Sequence, residues 1–486
     1  MKQRPNILFL MNDHQLHYRH GWDGDVPIHR PHFDRLAKQG IRFNRAYTVC
    51  PLCTPARRSI LTSLYPHAHG QLQNRPSTPI RNETYLSKLA EQGYQNFAFG
   101  KWHAGKGTAV DQGCEGFSLT GYGNPYVTEQ YQTYLKKHGL QPPIVKVERD
   151  FAHTNPVAAG SWYRQTEPNG CWEHMSGIMV AEDDAHEAFF LANLACEQLD
   201  RIANANSLEP FAMRVDFWGP HQPYLPTQAF ADLYAPSRIP VYGSFHDTLE
   251  NKPSTYQREL NAPIGDKSGN LIQPNTLSWS EWQKVLARCY AQISLVDAAG
   301  GRIIEKLDSL GFAENTLVIW TADHGDALAS HGGHFNKGCY LTEEVLRIPL
   351  AIRYPAEIKP EQQTEALVSN LDLAPTMLEA AGTAFSYDVH GRSLIPLIAK
   401  NTTWRDSLLA ESNGHDDDTI ARAILTNRYK YIATKNDLHE LYDLQDDPYE
   451  LDNLIDDPHT ERVLARLRTH LRQQQQQTGD PEHELN

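Results

Sequence analysis

The sequence predicts an α/β fold, a large and mostly parallel sheet sandwiched by helices, with a smaller C-terminal α+β domain. Three observations predict it. Short apolar runs suited to strands alternate with helical segments along most of the chain. Four of those runs share one design, each ending in polar residues suited to chemistry, and the texture of the chain changes near residue 385. Alternating strands and helices imply a sheet covered on both faces, and in such sheets ligands bind beyond the carboxyl ends of the strands. At 486 residues the chain exceeds the size at which one core stops growing. We therefore expect a large domain over 1–385, a smaller one over 386–474 and a disordered tail over 475–486.

Taken in order, Ile7-Leu8-Phe9-Leu10-Met11 is the first strand and runs into Asn12-Asp13-His14. This opening run is too short for the apolar region of a signal peptide, and no apolar stretch approaches the roughly 18 residues that span a bilayer. The chain as written reads as cytosolic, with no membrane partner; one trimmed of an export leader would read the same. Residues 83–92 form a helix capped by Asn82, with Tyr85, Leu86, Leu89 and Ala90 on its apolar face and Gly93 as its stop. The run 96–99 leads into Gly100-Lys101-Trp102-His103. Residues 120–180, rich in Gly, Pro, Tyr and Trp and weakly periodic, read equally as an irregular binding loop or a surface insertion. The run 211–217 leads into Trp218-Gly219-Pro220-His221. A helix over 282–310, stopped by Gly311, precedes the run 316–320 and its Thr321-Ala322-Asp323-His324-Gly325-Asp326. Beyond the change in texture, 428–432 and 440–444 read as paired strands. A last helix spans 460–474, and the glutamine tract 473–477 falls into the disordered tail.

Composition narrows the function. The chain is 40% hydrophobic and 10% aromatic, ordinary for a globular protein, and its formal net charge of −14 argues against a nucleic-acid partner. A few convergent cations can still dominate a local field, so an anionic substrate remains open. Seven cysteines, an odd number without framework spacing, argue against a disulfide scaffold.

The segment Leu52-Cys53-Thr54-Pro55-Ala56-Arg57 carries the most chemistry. Pro55 suits the first turn of a helix, which places Cys53 at an N-terminus that favours anions and Arg57 about one turn on. An unmodified thiol nucleophile also suits such a place. Asp13 with His14 and Asp323 with His324 follow two of the strands; oxygen-rich pairs of this kind hold Ca²⁺, Mg²⁺ or Mn²⁺, although singly each Asp also reads as the cap of a turn. Lys101, His103, His221 and Lys337 add cations and proton donors. Together these residues suit a multiply charged oxyanion ester.

The Cys53-x-Pro55-x-Arg57 spacing resembles the signature of the type I, formylglycine-dependent sulfatases of the alkaline phosphatase superfamily. Matches in order along the chain carry the same resemblance: Arg4-Pro5-Asn6-Ile7-Leu8 with Asn12-Asp13, residues 31–43 before the signature, residues 62–70 after it, Gly100-Lys101-Trp102-His103, and Ala322–Asp326 with Lys337. Near the C-terminus, Glu440–Leu444, Asp447-Pro448-Tyr449-Glu450-Leu451 and Asn453-Leu454 are similar to the family's closing signature. Three positions depart from the pattern: His14 where a second Asp is common, Ala56 where Ser is common, and Ser63 where Gly is usual.

The resemblance implies an alkaline phosphatase-like fold and hydrolysis of a sulfate monoester to alcohol and inorganic sulfate. Cys53 is oxidised to formylglycine by a maturation enzyme that reads the Leu52–Pro55 stretch. One divalent metal, Ca²⁺ ahead of Mg²⁺ or Mn²⁺, is held by Asp13, His14, residue 53, Asp323 and His324. One hydroxyl of the hydrated aldehyde, polarised by the metal and Arg57, attacks sulfur, and loss of a proton from the other then expels sulfate. Lys101, Lys337 and His221 stabilise charge on the sulfuryl group and the leaving alcohol, while the choice between His221 and His103 as general acid stays open. Phosphonate monoester or phosphodiester hydrolysis, a thiol hydrolase using unmodified Cys53 and a non-catalytic carbohydrate-binding relative are the rivals. Aryl, carbohydrate and choline sulfates all fit the same core. Trp162, Tyr163, Trp172 and His174 are candidate sugar contacts that tilt the substrate toward a carbohydrate sulfate.

Overall fold

The computed structural model describes residues 4–16, 28–121, 123–150, 157–165, 175–205, 209–261, 264–265, 271–272, 277–338, 340–400, 402–415, 418–482 and 485. Eight strands form the central sheet, in the order Gln362–Thr364, Ile41–Phe43, Leu350–Arg353, Thr316–Ala322, Asn6–Asp13, Phe211–Pro220, Gln95–Lys101 and Glu115–Leu119. Leu350–Arg353 runs antiparallel to both its neighbours, and every other pairing is parallel. The four runs that end in polar residues are four adjacent strands of this sheet. Because all four are parallel, their carboxyl ends lie on one edge.

Side chains alternate between the two covering layers, as strand geometry requires. From the first strand, Leu8 and Leu10 enter a layer with Phe189, Phe190, Val296 and Ile303, while Ile7, Phe9 and Met11 enter the opposite layer with Ile60, Leu86, Leu89 and Met377. The long helix in the first layer spans Trp279–Ser309, slightly earlier than expected, because Ser278 and Glu281 form a capping box ahead of it. The short helix expected over 83–92 spans Tyr85–Glu91, capped by Thr84 in a reciprocal box with Ser87 rather than by Asn82.

Two expectations are corrected. Residues 120–180 carry a helix, Glu129–His138, and a three-stranded sheet of Trp162–Arg164, Ile144–Asp150 and Met175–Val180. Tyr126, Tyr131, Tyr134, Val145, Val147 and Met175 pack into the first core layer, so much of the aromatic content there is core. The tail expected to be disordered also carries structure in its described part: the helix Glu461–Thr478 runs through the glutamine tract. Its buried face of Leu464, Leu467 and Leu471 continues to Gln475, whose amide donates to Asp480 Oδ2 at 3.2 Å, and Asp480 pairs with buried Arg422 at 2.7 Å. The helical period simply extends with a polar residue that finds an internal partner.

That helix packs on an antiparallel sheet of Ser407–Asn413, Ile420–Thr426, Tyr429–Thr434 and Glu440–Asp443. The two strands expected near 428–444 are the last pair. This C-terminal sheet makes a buried ionic contact with the short helix Glu343–Leu346, which precedes the strand Leu350–Arg353 of the larger sheet. Lys430 lies between Glu343, 3.3 Å from its Oε1, and Glu450, whose Oε2 accepts from the Glu343 backbone N–H at 2.7 Å. Lys430→Met should leave two buried carboxylates without their cation and cost about 3–5 kcal/mol of stability, read as a lower urea midpoint at unchanged slope.

Candidate active site

Each strand end delivers its side chain by position alone. Asp13 and Lys101 are the last residues of their strands, His221 follows Phe211–Pro220, and Asp323 and His324 follow Thr316–Ala322. The sheet is tight here: Gly100 has φ +111, and a Cβ on it would sit 2.0 Å from the Asp216 carbonyl oxygen, so glycine must precede Lys101. Cys53 is the first residue of the helix Cys53–Thr62, all of which is buried. Arg58 fastens this helix by donating to Ala104 O at 2.9 Å and Thr78 Oγ1 at 2.8 Å.

Arg57 gathers the site. Its Nη2 donates to Asp13 Oδ2 at 2.6 Å, its Nε to Asp323 Oδ2 at 2.8 Å and its Nη1 to the Lys101 carbonyl at 2.9 Å. Asp216 Oδ1 lies 3.8 Å away, and Lys101 Nζ sits 2.6 Å from Asp13 Oδ2. Burial works against a charged Asp13, yet the Lys101 ammonium and the Arg57 guanidinium hold its carboxyl well below the usual carboxylate range. At Asp216 burial prevails over Arg214 and Arg57, and its pKa is raised.

Cys53 Sγ is 3.1 Å from His324 Nε2 and 3.9 Å from Asp13 Oδ1. Ligand atoms of Asp13, Cys53, Asp323 and His324 all lie within 4.8 Å of one another, and all four residues are buried. His324 Nδ1 is 2.8 Å from the Gly325 carbonyl, which it satisfies as a donor, leaving the Nε2 lone pair turned to Cys53. Two carboxylates with an imidazole nitrogen in a dry pocket are a donor set that fits a divalent cation. His14 stands beside this group. Its ring lies 4.8 Å from that of His324 and 4.9 Å from that of His221, its Nε2 is 3.3 Å from Asp326 Oδ1, and its Nδ1 has no hydrogen-bond partner among the described residues. Burial, then the Lys337 charge, push the His14 pKa well down. Burial works against a Cys53 thiolate, but Lys337 leads the charges that draw its pKa below the ordinary thiol value.

His221 and Lys337 form a second pair, with Nε2 and Nζ 3.5 Å apart, while His221 Nδ1 is 2.7 Å from the Gln222 carbonyl. Burial, Lys337 and Lys101 keep this imidazole neutral. His103, buried with φ +37 two residues past Lys101, is held neutral by burial and by Lys101 and Arg57. The structure thus brings Asp13, Cys53, Arg57, Lys101, Asp323 and His324 into direct contact, with His14, His221 and Lys337 adjoining. Of the expected sugar contacts, Trp162 is 56% exposed on its strand, and Trp172 and His174 lie outside the described residues. Two acids escaped the sequence reading. Asp216 was signalled by an acid that, with Arg214, interrupts an otherwise apolar strand, and Asp326, which burial pushes up to about 6 despite the bond from the Tyr224 hydroxyl at 3.1 Å, by its place in the 322–326 element.

Fold and site together define a hydrolase of α/β architecture suited to a charged oxyanion ester. The sulfatase profile matches residues 5–383, and the profile of the C-terminal part of N-sulphoglucosamine sulphohydrolase matches residues 330–477. The chain belongs to the sulfatase family, type I, of the alkaline phosphatase superfamily, and is a sulfuric ester hydrolase. It is 27% identical to an N-acetylglucosamine-6-O-sulfatase of Bacteroides thetaiotaomicron, over 92% of this chain and 82% of that protein. It is 28% identical to a choline-sulfatase of Rhizobium meliloti, over 92% and 81%. The fold is shared with a solved structure in complex with its substrate D-glucosamine-2-N,6-O-disulfate, at TM-score 0.75 and 23% identity over 98% of this chain and 99% of that one. It is also shared with a phosphonate monoester hydrolase from Silicibacter pomeroyi, at TM-score 0.77 and 21% identity over 98% and 96%. No helix among the described residues is long and apolar enough to cross a membrane.

Lys337→Met should raise the His221 pKa, because it removes the cation that most opposes a charged ring there. The shift is read by NMR titration of the histidines and as an acid limb of the kcat/KM profile moved to higher pH.

Proposed function

We propose that this sulfatase hydrolyses a carbohydrate sulfate monoester, using residue 53 in its formylglycine form and one divalent cation. The observation that supports it best is the closure of Arg57 onto Asp13, Asp323 and the Lys101 carbonyl with Cys53 alongside. Asp13, Asp323 and His324 would hold the cation with residue 53, and His14 flanks them. The oxygen donors favour Ca²⁺, and the ion would supply Lewis acidity toward a sulfuryl oxygen. Formylglycine supplies, when hydrated, a hydroxyl nucleophile and a second hydroxyl whose deprotonation releases sulfate.

The other roles belong to the chain as it stands. Arg57 and Lys101 keep Asp13 charged and in place. Lys101 and Lys337 present ammonium groups to the developing oxyanion. His221, with Nδ1–H committed to the Gln222 carbonyl, carries its lone pair on Nε2, beside Lys337. A sulfate monoester arriving there favours the protonated ring, so His221 takes a proton on Nε2 and gives it to the leaving alkoxide. His103, two residues past Lys101, is the candidate acceptor for the proton of the second hydroxyl.

Cys53→Ala should lose all measurable sulfate release at an unchanged circular dichroism spectrum, and the peptide spanning residue 53 should show the mass of the aldehyde or its hydrate. A fully active alanine variant, or an active preparation whose residue 53 is wholly thiol, would overturn the reading. Phosphonate monoesters in the same assay test the rival chemistry of the shared fold. Exhaustive chelation should abolish turnover and lower Tm, and Ca²⁺ should restore both; Asp13→Asn and Asp323→Asn should bind Ca²⁺ at least tenfold more weakly by calorimetry.

A further inference from the structure

A cavity of about 150 Å³ opens beside the site, with Lys101 and His221 in its wall. It is well under the roughly 300–1,000 Å³ of pockets for drug-sized ligands, and matches one small ring. Much of its polar lining is already committed. Gln292 accepts from the Leu225 N–H at 2.7 Å and donates to the His221 carbonyl at 3.3 Å, so it braces the wall. Glu187, buried, accepts from the Tyr126 hydroxyl at 2.5 Å and lies 2.7 Å from His186 Nδ1. Burial opposes its ionisation, but His186 and Tyr126 keep its pKa below the ordinary value, so the wall carries a carboxylate.

Two polar atoms remain. Gln222 is 96% buried, with 4% exposure, and its Oε1 has no hydrogen-bond partner among the described residues; the same holds for the buried Nε1 of Trp218. A buried acceptor and a buried donor left open are costly unless a ligand pairs them. Ligand hydroxyls can donate to the first and accept from the second. A carboxylate or second sulfate only accepts, leaving Gln222 Oε1 unmet and lying in the field of Glu187. Beyond Lys101, which is paired to Asp13, no Lys or Arg is among the described lining residues to offset it. A trimethylammonium group has no N–H to give and no acceptor for Trp218.

Resting on the sulfatase reading above, we infer that this cavity is a filter for an uncharged, hydroxyl-bearing ring as the leaving group, read by Gln222 Oε1 and Trp218 Nε1. Uronate sulfates, whose carboxylate would enter the field of Glu187, and choline sulfate, whose leaving group carries no further hydroxyl to pair Gln222 and Trp218, are disfavoured by chemistry rather than by size.

The test compares kcat/KM of the matured, Ca²⁺-loaded enzyme on N-acetylglucosamine 6-sulfate, glucuronate 2-sulfate, choline sulfate and 4-nitrophenyl sulfate. The neutral sugar sulfate should lead the uronate and choline esters by about a hundredfold or more, as sites built around hydrogen bonds discriminate. In Gln222→Ala the ratio of sugar to aryl turnover should fall about tenfold, and Trp218→Phe, which keeps the ring and removes only the N–H, should move it the same way. Uronate or choline sulfate turned over as well as the sugar overturns the filter, as does an equal loss on all four esters in both variants. Release of sulfate from none of the four by enzyme with a proven aldehyde overturns the underlying sulfatase reading instead.

Discussion

One buried guanidinium holds this site together. Arg57 reaches Asp13 on the first strand, Asp323 after a second, and the Lys101 carbonyl at the end of a third, with Asp216 of a fourth 3.8 Å away. Two carboxylates cannot both stay ionised side by side in a dry interior without a counter-charge. The same three contacts that satisfy the acids also lock the edges of three strands in register. They locate residue 53 as well, because Arg57 sits about one helical turn beyond it. A change at Arg57 therefore acts on the acids, on residue 53 and on the sheet edge at once.

The charge balance follows from this. A chain with net charge −14 must build its anion site against its own background. Arg57 is spent on the carboxylates, and Lys101 leans on Asp13, so the approaching ester meets ammonium groups whose attraction is tempered until it arrives. His14, His103 and His221 are neutral because burial and the lysines outweigh the acids. Neutral rings leave room for an anion to raise their pKa on binding, which in the proposed mechanism puts proton transfer after substrate capture. Protonated rings would instead trap sulfate as a product.

Most residues of the candidate site were legible because each is local to an apolar strand: a short run followed at once by Asp13, Lys101, His221 or Asp323. Parallel pairing of the four strands did the rest. What stayed hidden depends on contacts far apart in sequence. Nothing near Gln222 signals that its amide is orphaned in a cavity, and nothing near Glu450 signals that it caps the backbone of Glu343. The aromatic stretch 120–180 misled because buried Tyr126, Tyr131 and Tyr134 share the residue types of a sugar-binding loop. The glutamine tract misled because composition ignores the helical face that Leu464, Leu467 and Leu471 extend to Gln475. Thr84 displaced Asn82 as a cap because a reciprocal box with Ser87 satisfies two backbone groups, and a lone side chain satisfies one.

The smaller C-terminal sheet also bears on the chemistry, through the segment that carries Lys337. Between Asp323 and Lys337 the chain adopts left-handed backbone at Ala329 (φ 64°), His331 (φ 43°) and Asn336 (φ 72°), each costing about 1–3 kcal/mol unless its surroundings impose it. The surroundings are ionic. His331 lies 2.9 Å from Asp247 and 3.3 Å from Glu344, and although burial opposes its charge, Glu344 and Asp247 push its pKa up to about 9. With both ring nitrogens facing carboxylates it serves as an imidazolium strut. The adjacent Glu343 is fixed in turn by Glu450 and Lys430 of the C-terminal sheet. The closing Asp447–Leu451 element, far from Cys53 in sequence, thus supports the segment that carries Lys337. Its link to the family's chemistry is mechanical, through a strained loop held in place by buried charge.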